Sequence, residues 1–475
     1  MKEARAFLKS SALYLVGGGL SKAVSLLMLP LYTRRVSPEA YGLYDASLAA
    51  AALFSSLLYL DIWNGILRFM YDEGDDRAKM RPAAAGGVLF LGSSALYCAL
   101  VAVLTPRFGL VNPGWLCLYG CLNALSQATG SVARGLGQNV RYMAAGLLGT
   151  LTATAANLVL LLLFRWGYEA LYLSACLGYA VTSLINLLSR RALGLRRGLL
   201  PFGPPLRRML AFSAPLCLNS AAYWFLTGYS KAAVAGVLSA WDNGLYAVAG
   251  KFGLIVTLLS RCFQLAWQEL SFGKGGLLRK EQGAFYSAAL KAYLRAMPVA
   301  LALLLPAARL SFPVFVSPAY REAYRLVPAV LLAMAAASAS EFLGSVFAAL
   351  KRTRPLFATT AAGALVNVLA LAFGLKRFGV KAAGAALFFG FLTTALWRAA
   401  LLWRLIGLRV SPRAVAAPLL WLAACLLWYF ALGAPGNAAL LAVAAAAIPV
   451  FCRKQLAAVR LKLRPAKRSC DNFKP

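Results

Sequence analysis

The chain contains no histidine. That removes the commonest general base, the usual imidazole ligand of zinc and any histidine proton relay. Acids are also scarce: 15 Asp and Glu stand against 49 Lys and Arg. Charged residues make up only 13% of the chain, well under the roughly 25% of an average soluble domain. The longest polar connections, near 190–210 and 269–283, are too short to hold a nucleotide-binding domain. No G-x-x-x-x-G-K-[ST] phosphate loop occurs, and the glycine clusters at 17–22 and 135–140 do not sit between a strand and a helix. The nine cysteines lie mostly inside apolar runs, as with Cys98, Cys176, Cys262 and Cys425, and read as small buried hydrophobes. Cys117 and Cys121 share a helix face, but no second pair completes a metal site.

What the chain does have is apolar length. It is 61% hydrophobic over 475 residues, with a mean hydropathy of +0.70. Apolar runs of about 20 residues recur almost end to end, the length that crosses a bilayer. Only helices and closed barrels satisfy their backbone groups in lipid, and Leu- and Ala-rich runs favour helices. The expectation is an all-α polytopic membrane protein with about fourteen transmembrane helices. The first spans 9–33, the second 42–68, the fourth 113–134 and the last 436–452. Lys22 interrupts the first run and no small-x-small cleavage site follows, so it reads as a retained helix rather than a signal peptide. With the N-terminus inside, basic residues are about three times as numerous in inside segments as in outside ones. Both termini are therefore expected in the cytoplasm. The formal charge of +34 then belongs to loops that face anionic lipid headgroups. It is scattered among short loops rather than gathered on one domain, so nucleic acid is not an expected partner.

One short pattern occurs twice. SPEAYGLYDA begins at Ser37 and SAWDNGLYAV at Ser239. Ser37, Gly42, Leu43 and Tyr44 match Ser239, Gly244, Leu245 and Tyr246 at identical spacing. The first copy joins expected helices 1 and 2, the second helices 7 and 8. An even number of helices between them keeps both halves in the same orientation. This implies two parallel six-helix lobes related by a pseudo-twofold axis along the membrane normal, with a path between them. The lobes are expected at 1–189 and 210–403, joined by a basic cytoplasmic linker at 190–209. Two additional helices follow at 404–452, and a basic tail at 453–475.

Ionisable groups inside spans are costly and usually face a cavity or a partner. In helix 2, Asp61, Asn64 and Arg68 fall on one face. In helix 7, Asn219, Tyr223, Thr227 and Lys231 step by four. In helix 8, Tyr246, Gly250, Thr257, Arg261, Gln264 and Gln268 form a stripe beside Lys251. Helix 1 adds Ser21, Lys22 and Ser25. These faces flank the repeated connector and are expected to line one water-filled, cationic cavity, with Lys22, Lys231, Lys251 and Arg261 supplying the charge. Arg68 either joins that cavity or reaches the headgroups, and Arg398 is expected to reach them. Arg34 and Arg35 are either an outer mouth, interfacial anchors, or partners of Glu39. Asp61 either pairs with a lysine or Arg68, or carries a coupling proton or sodium ion. Glu341, on a polar face with Ser338 and Ser345, is a second ion-coupling candidate. Several cations at different depths suit a diphosphate or acidic glycan better than a small anion. No catalytic residue, metal or resident cofactor is expected.

LLMLPLYTRRVSPEAYGLYD, followed by WNGILRFMYDE at Trp63–Glu73, resembles the opening of the polysaccharide biosynthesis proteins, the Wzx-type oligosaccharide flippases of the MOP exporter superfamily. The architecture is also similar to that of lipid II flippases and MATE drug exporters. The resemblance implies two lobes, alternating access, and movement of an undecaprenyl-diphosphate-linked oligosaccharide to the outer leaflet of a bacterial cytoplasmic membrane. It also implies glycan polymerases and glycosyltransferases as neighbours. A lipid II or sporulation-type flippase and an ion-coupled small-solute exporter are the competing readings. The excess of intramembrane base over acid weighs against cationic drugs. An enzyme on the same lipid would need a large external loop with catalytic groups, and the longest external connector, near 309–322, has only Glu322 as an acid.

Overall fold

Long Leu- and Ala-rich segments close their backbone hydrogen bonds within themselves, and no strand occurs among the described residues. The structure, a computed structural model, describes residues 22–108, 112–188, 204–272, 279–350 and 354–463, with Gly19 and Arg352. Residues 22–27 are helical and lead into α1 (Leu29–Arg35). Then follow α2 (Pro38–Tyr59), α3 (Ile62–Asp72), α4 (Asp76–Phe108), α5 (Pro113–Gly135) and α6 (Asn139–Leu158), the last continued by a π-turn at Val159–Leu163. Next are α7 (Glu169–Leu187), α8 (Pro204–Val237), α9 (Ala240–Phe272), α10 (Arg279–Phe315) and a 3₁₀ turn at Pro318–Arg325. The chain continues with α11 (Val327–Ala349), α12 (Arg354–Phe378), α13 (Lys381–Ile406), α14 (Pro412–Ala431) and α15 (Ala434–Leu463).

Eleven of these helices are long and apolar enough to cross a membrane. Three expected spans are not among them, so the count of fourteen is not reproduced. The span at 9–33 lies largely outside the described residues. Helix α5 is diluted by Asn123, Ser126, Gln127, Thr129, Ser131 and Arg134. The apolar part of α15, Ala434–Pro449, is short.

The expected single helix 42–68 is corrected: it is two helices. Leu60 and Asp61 have φ of 52° and 48°, a left-handed pair that no continuous helix accommodates. The break frees carbonyls, and neighbouring helices satisfy them. Ser93 Oγ donates to the Leu58 carbonyl at 2.8 Å, and Cys217 Sγ to that of Ser56 at 3.3 Å. Asp61 therefore stands at the head of α3 and does not share a continuous helical face with Arg68.

The repeated connector has a physical reason at each position. Ser37 Oγ accepts from the Ala40 N–H at 3.2 Å, and Ser239 Oγ from the Asp242 N–H at 3.0 Å, so both serines are N-caps. Gly42 and Gly244 are where α2 and α9 cross. A Cβ on Gly42 would lie 1.7 Å from the Ala240 carbonyl oxygen, and one on Gly244 would lie 1.9 Å from that of Pro38. Pro38 and Ala240 are themselves equivalent in the repeat, so the contact is reciprocal. Asn243 Nδ2 donates to the Gly42 carbonyl at 2.7 Å and seals it. Tyr44 packs edge-on against Tyr172.

A second repeat appears only in the structure. Gly149 of α6 lies against Gly178 and Thr182 of α7, and Gly363 of α12 lies against Gly390 and Thr394 of α13. In each pair the threonine hydroxyl donates to the glycine carbonyl four residues earlier, at 2.9 and 3.0 Å. Two similarly built halves face each other across a pseudo-twofold axis. The stretch before the first connector is also tied to the 3₁₀ turn: Tyr320 Oη donates to the Val36 carbonyl at 2.9 Å, and the Ser317 N–H donates to Thr33 Oγ1 at 3.2 Å.

By internal contacts the chain divides into two units, 1–273 with 313–398, and 274–312 with 399–475. All relations above lie in the first. Within the second, Gly283 lies against the Ile406 carbonyl, Ser287 Oγ accepts from the Arg409 N–H at 2.8 Å, and Arg295 Nη2 reaches the Phe451 carbonyl at 3.4 Å.

Candidate functional site

The centre of the site is an acid in the repeated stretch itself. Asp45 follows Tyr44 on α2 and projects between α8 and α9. Lys231 Nζ lies 2.8 Å from its Oδ1. Its Oδ2 is buried and accepts no hydrogen bond. Lys251 of α9, half-buried, and Tyr246 lie within electrostatic reach of Asp45. Thus one lysine of the second half pairs with a carboxylate of the first and a second stands within its electrostatic reach, leaving positive charge in excess. Lys231 is ion-paired, a pairing that spacing along one helix did not show. A signal existed: Asp45 is one of few acids, and it sits in an apolar helix. Tyr32, Tyr41, Tyr44, Tyr172 and Tyr119 continue this wall as a chain of ring contacts. Lys22 is half-buried on helix 22–27 and is engaged by a partner. Arg261 belongs to α9, but its side chain lies outside the described residues.

A second polar point lies at the helix break. Asp61 is buried. Ser56 Oγ donates to its Oδ1 at 3.1 Å, and Ser220 Oγ of α8 to its Oδ2 at 2.5 Å. The expected pairing with a lysine or Arg68 is corrected: Asp61 is held by hydroxyls, and exposed Arg68 pairs with Asp72 one turn on. Trp224 Nε1 donates to the Ala49 carbonyl at 2.6 Å, so α8 is tied to α2 at Asp45 and Ala49 and to the head of α3 at Asp61.

A third point joins α9 to α11, where Gln264 Nε2 donates to Glu341 Oε2 at 2.7 Å. Close by, Arg398 is buried, which corrects the expectation that it reaches the headgroups. Its guanidinium donates from Nε to Thr359 Oγ1 at 3.0 Å. Nη1 donates to the Ser340 carbonyl at 2.8 Å and hydroxyl at 3.0 Å. Nη2 donates to Thr360 Oγ1 at 2.9 Å and the Leu356 carbonyl at 3.4 Å. All five N–H groups are used, and they tie α13 to α11 and α12. Arg34 and Arg35 end α1, both exposed, and no ion pair joins either to Glu39. Among the described residues no cluster of three Cys, Asp or Glu side chains converges as a metal site.

Two helical halves that cross at a glycine pair, with titratable groups on the facing helices, define a two-lobe helical membrane fold. Solved structures agree. The chain superposes on a lipid II flippase, MurJ, in an inward closed conformation with a TM-score of 0.70, at 12% identity, covering 94% of this chain and 100% of that one. It superposes on an inward-facing multidrug resistance MATE family transporter of the MOP superfamily at 0.61, with 12% identity, 85% of this chain and 95% of that one. An outward-facing MATE structure gives 0.56, at 15% identity, with 84% and 96% covered. No curated protein matches the sequence. The polysaccharide biosynthesis protein family matches residues 7–263, more than half of the chain, and the chain belongs to that family. It is a multi-pass membrane protein.

Proposed function

We propose that this protein flips undecaprenyl-diphosphate-linked oligosaccharide repeat units from the inner to the outer leaflet for cell-surface polysaccharide biosynthesis. The observation that carries the reading is the ion pair of Lys231 with Asp45, with Lys251 in electrostatic reach of the same carboxylate. A carboxylate matched by one lysine leaves the second available to a diphosphate, and Lys22 and Arg261 add charge along the path. On this reading the lobes are 1–189 and 210–403, both termini are cytoplasmic, and the connectors at Ser37 and Ser239 face outward in the cytoplasmic membrane. The crossing of Gly42 and Gly244 then closes the outer side. An incoming diphosphate competes with Asp45 for Lys231, weakens the bond between lobes, and favours outward opening. Asp61, held across the lobes by Ser220, is the first candidate to carry a coupling proton or sodium ion, and Glu341 the second. Anionic lipids surround the basic loops, and polymerases and glycosyltransferases are the expected neighbours.

The test is mass spectrometry of lipids co-purified with wild type and with Lys231→Ala/Lys251→Ala. A polyprenyl-diphosphate glycan held by the wild type and lost from the folded variant is expected. Phospholipid alone in both, with small-solute export in proteoliposomes, replaces the reading with that of an exporter.

A further inference from the structure

The two halves differ at one corresponding corner. Equivalent helix ends set the register. Leu136 N–H donates to the Val132 carbonyl and Leu350 N–H to that of Val346, both at 3.0 Å. Gln138 N–H donates to the Ala133 carbonyl and Arg352 N–H to that of Phe347, both at 2.9 Å. With the Gly149/Gly363 pairing, this places Ser126 opposite Ser340, Gln127 opposite Glu341, Tyr142 opposite Leu356 and Gly146 opposite Thr360. Along α7 and α13, the Thr182/Thr394 pairing places Asn186 opposite Arg398.

In the second half the Arg398 guanidinium fills this corner. In the first half the shorter Asn186 does not line it. What stands there is a cavity of about 490 Å³, bounded by Ser126, Tyr142, Gly146, Gly149 and Thr182 among others. That volume is within the roughly 300–1,000 Å³ of small-molecule sites. No charged side chain lines it. Its polar groups are hydroxyls and one amide, from Ser25, Ser126, Thr150, Thr182 and Gln127, with the rings of Tyr142 and Tyr179. Neutral donor–acceptor groups beside aromatic faces suit an uncharged, hydroxyl-rich ligand. Ser25 stands one helical turn from Lys22, so the cavity adjoins a cation.

We infer that this cavity receives a sugar ring of the glycan, next to the diphosphate. The inference rests on the lipid-linked glycan reading above. Glycine at 146 keeps the cavity open, since a Cβ there meets nothing within 4 Å. Gly146→Phe therefore fills the space without a backbone clash, and exposed Gln127 allows Gln127→Leu as an independent variant.

The experiment measures Kd in detergent micelles for undecaprenyl diphosphate and for undecaprenyl diphosphate carrying N-acetylglucosamine. The wild type and Gly146→Ala are expected to bind the sugar-bearing lipid about tenfold more tightly, the worth of a hydrogen bond or two. Gly146→Phe and Gln127→Leu are expected to lose that preference, with bare diphosphate affinity unchanged. Equal wild-type affinity for the two lipids, or intact preference in both variants, overturns the cavity assignment and leaves the flippase reading standing. Wild type that binds neither lipid overturns both. Where Gly146→Phe fails to fold, Gln127→Leu decides alone.

Discussion

The crossing of Gly42 and Gly244 allows the firmest mutational prediction. In Gly42→Ala the new Cβ lies 1.7 Å from the Ala240 carbonyl oxygen, where ordinary contact is 3.4 Å or more. The obstacle is backbone, so no rotamer change relieves it. Helices α2 and α9 must part by about 1.7 Å, the difference between the two distances. Overpacking of this kind costs about 1–3 kcal/mol, which lowers the ratio of closed to open lobes roughly 5- to 150-fold. Gly244→Ala should do the same, since its Cβ meets the Pro38 carbonyl at 1.9 Å. Gly250→Ala on the same helix meets nothing within 4 Å and serves as the control. The assay is electron–electron double resonance between nitroxides at Arg35 and Trp241, both exposed beside the connectors, with the native cysteines replaced. A longer, broader distance distribution is expected in both alanine variants, and not in the control. Unchanged distributions in Gly42→Ala and Gly244→Ala would refute the crossing as a closed contact.

Three further outcomes are expected. Lys231→Ala should destabilise the folded protein by about 1–3 kcal/mol, because it leaves the Asp45 carboxylate without its donor. The exchange Asp45→Lys/Lys231→Asp should recover part of that in a thermal-shift assay, and no recovery would deny a direct pair. Asp61→Asn keeps the contacts to Ser56 and Ser220 but removes the titrating group. Transport in proteoliposomes should then lose its response to an imposed proton or sodium gradient, and an undiminished response would assign coupling elsewhere. Arg398→Met should cost about 2–5 kcal/mol, since Ser340, Leu356, Thr359 and Thr360 lose their donors together. A melting temperature equal to wild type would contradict this.

What the sequence determined by itself was local. Hydropathy over one helix length set the class and most helix positions, because a span must bury its own backbone polar groups whatever its neighbours do. The doubled connector also disclosed two related halves, since an N-cap serine and a crossing glycine leave marks at fixed spacing. Tertiary structure decided what depends on contacts between helices. Asp45 meets Lys231 because α8 packs on α2, where Trp224 donates to the Ala49 carbonyl. The break at Leu60 and Asp61 carries no glycine or proline at its centre, and is supported by Ser93 and Cys217 from other helices. Arg398 lies near a span end in the sequence, yet five acceptor atoms from two neighbouring helices hold it in a buried position. Helical periodicity tells which residues share a face. Which charge meets which is fixed by the packing of one half against the other.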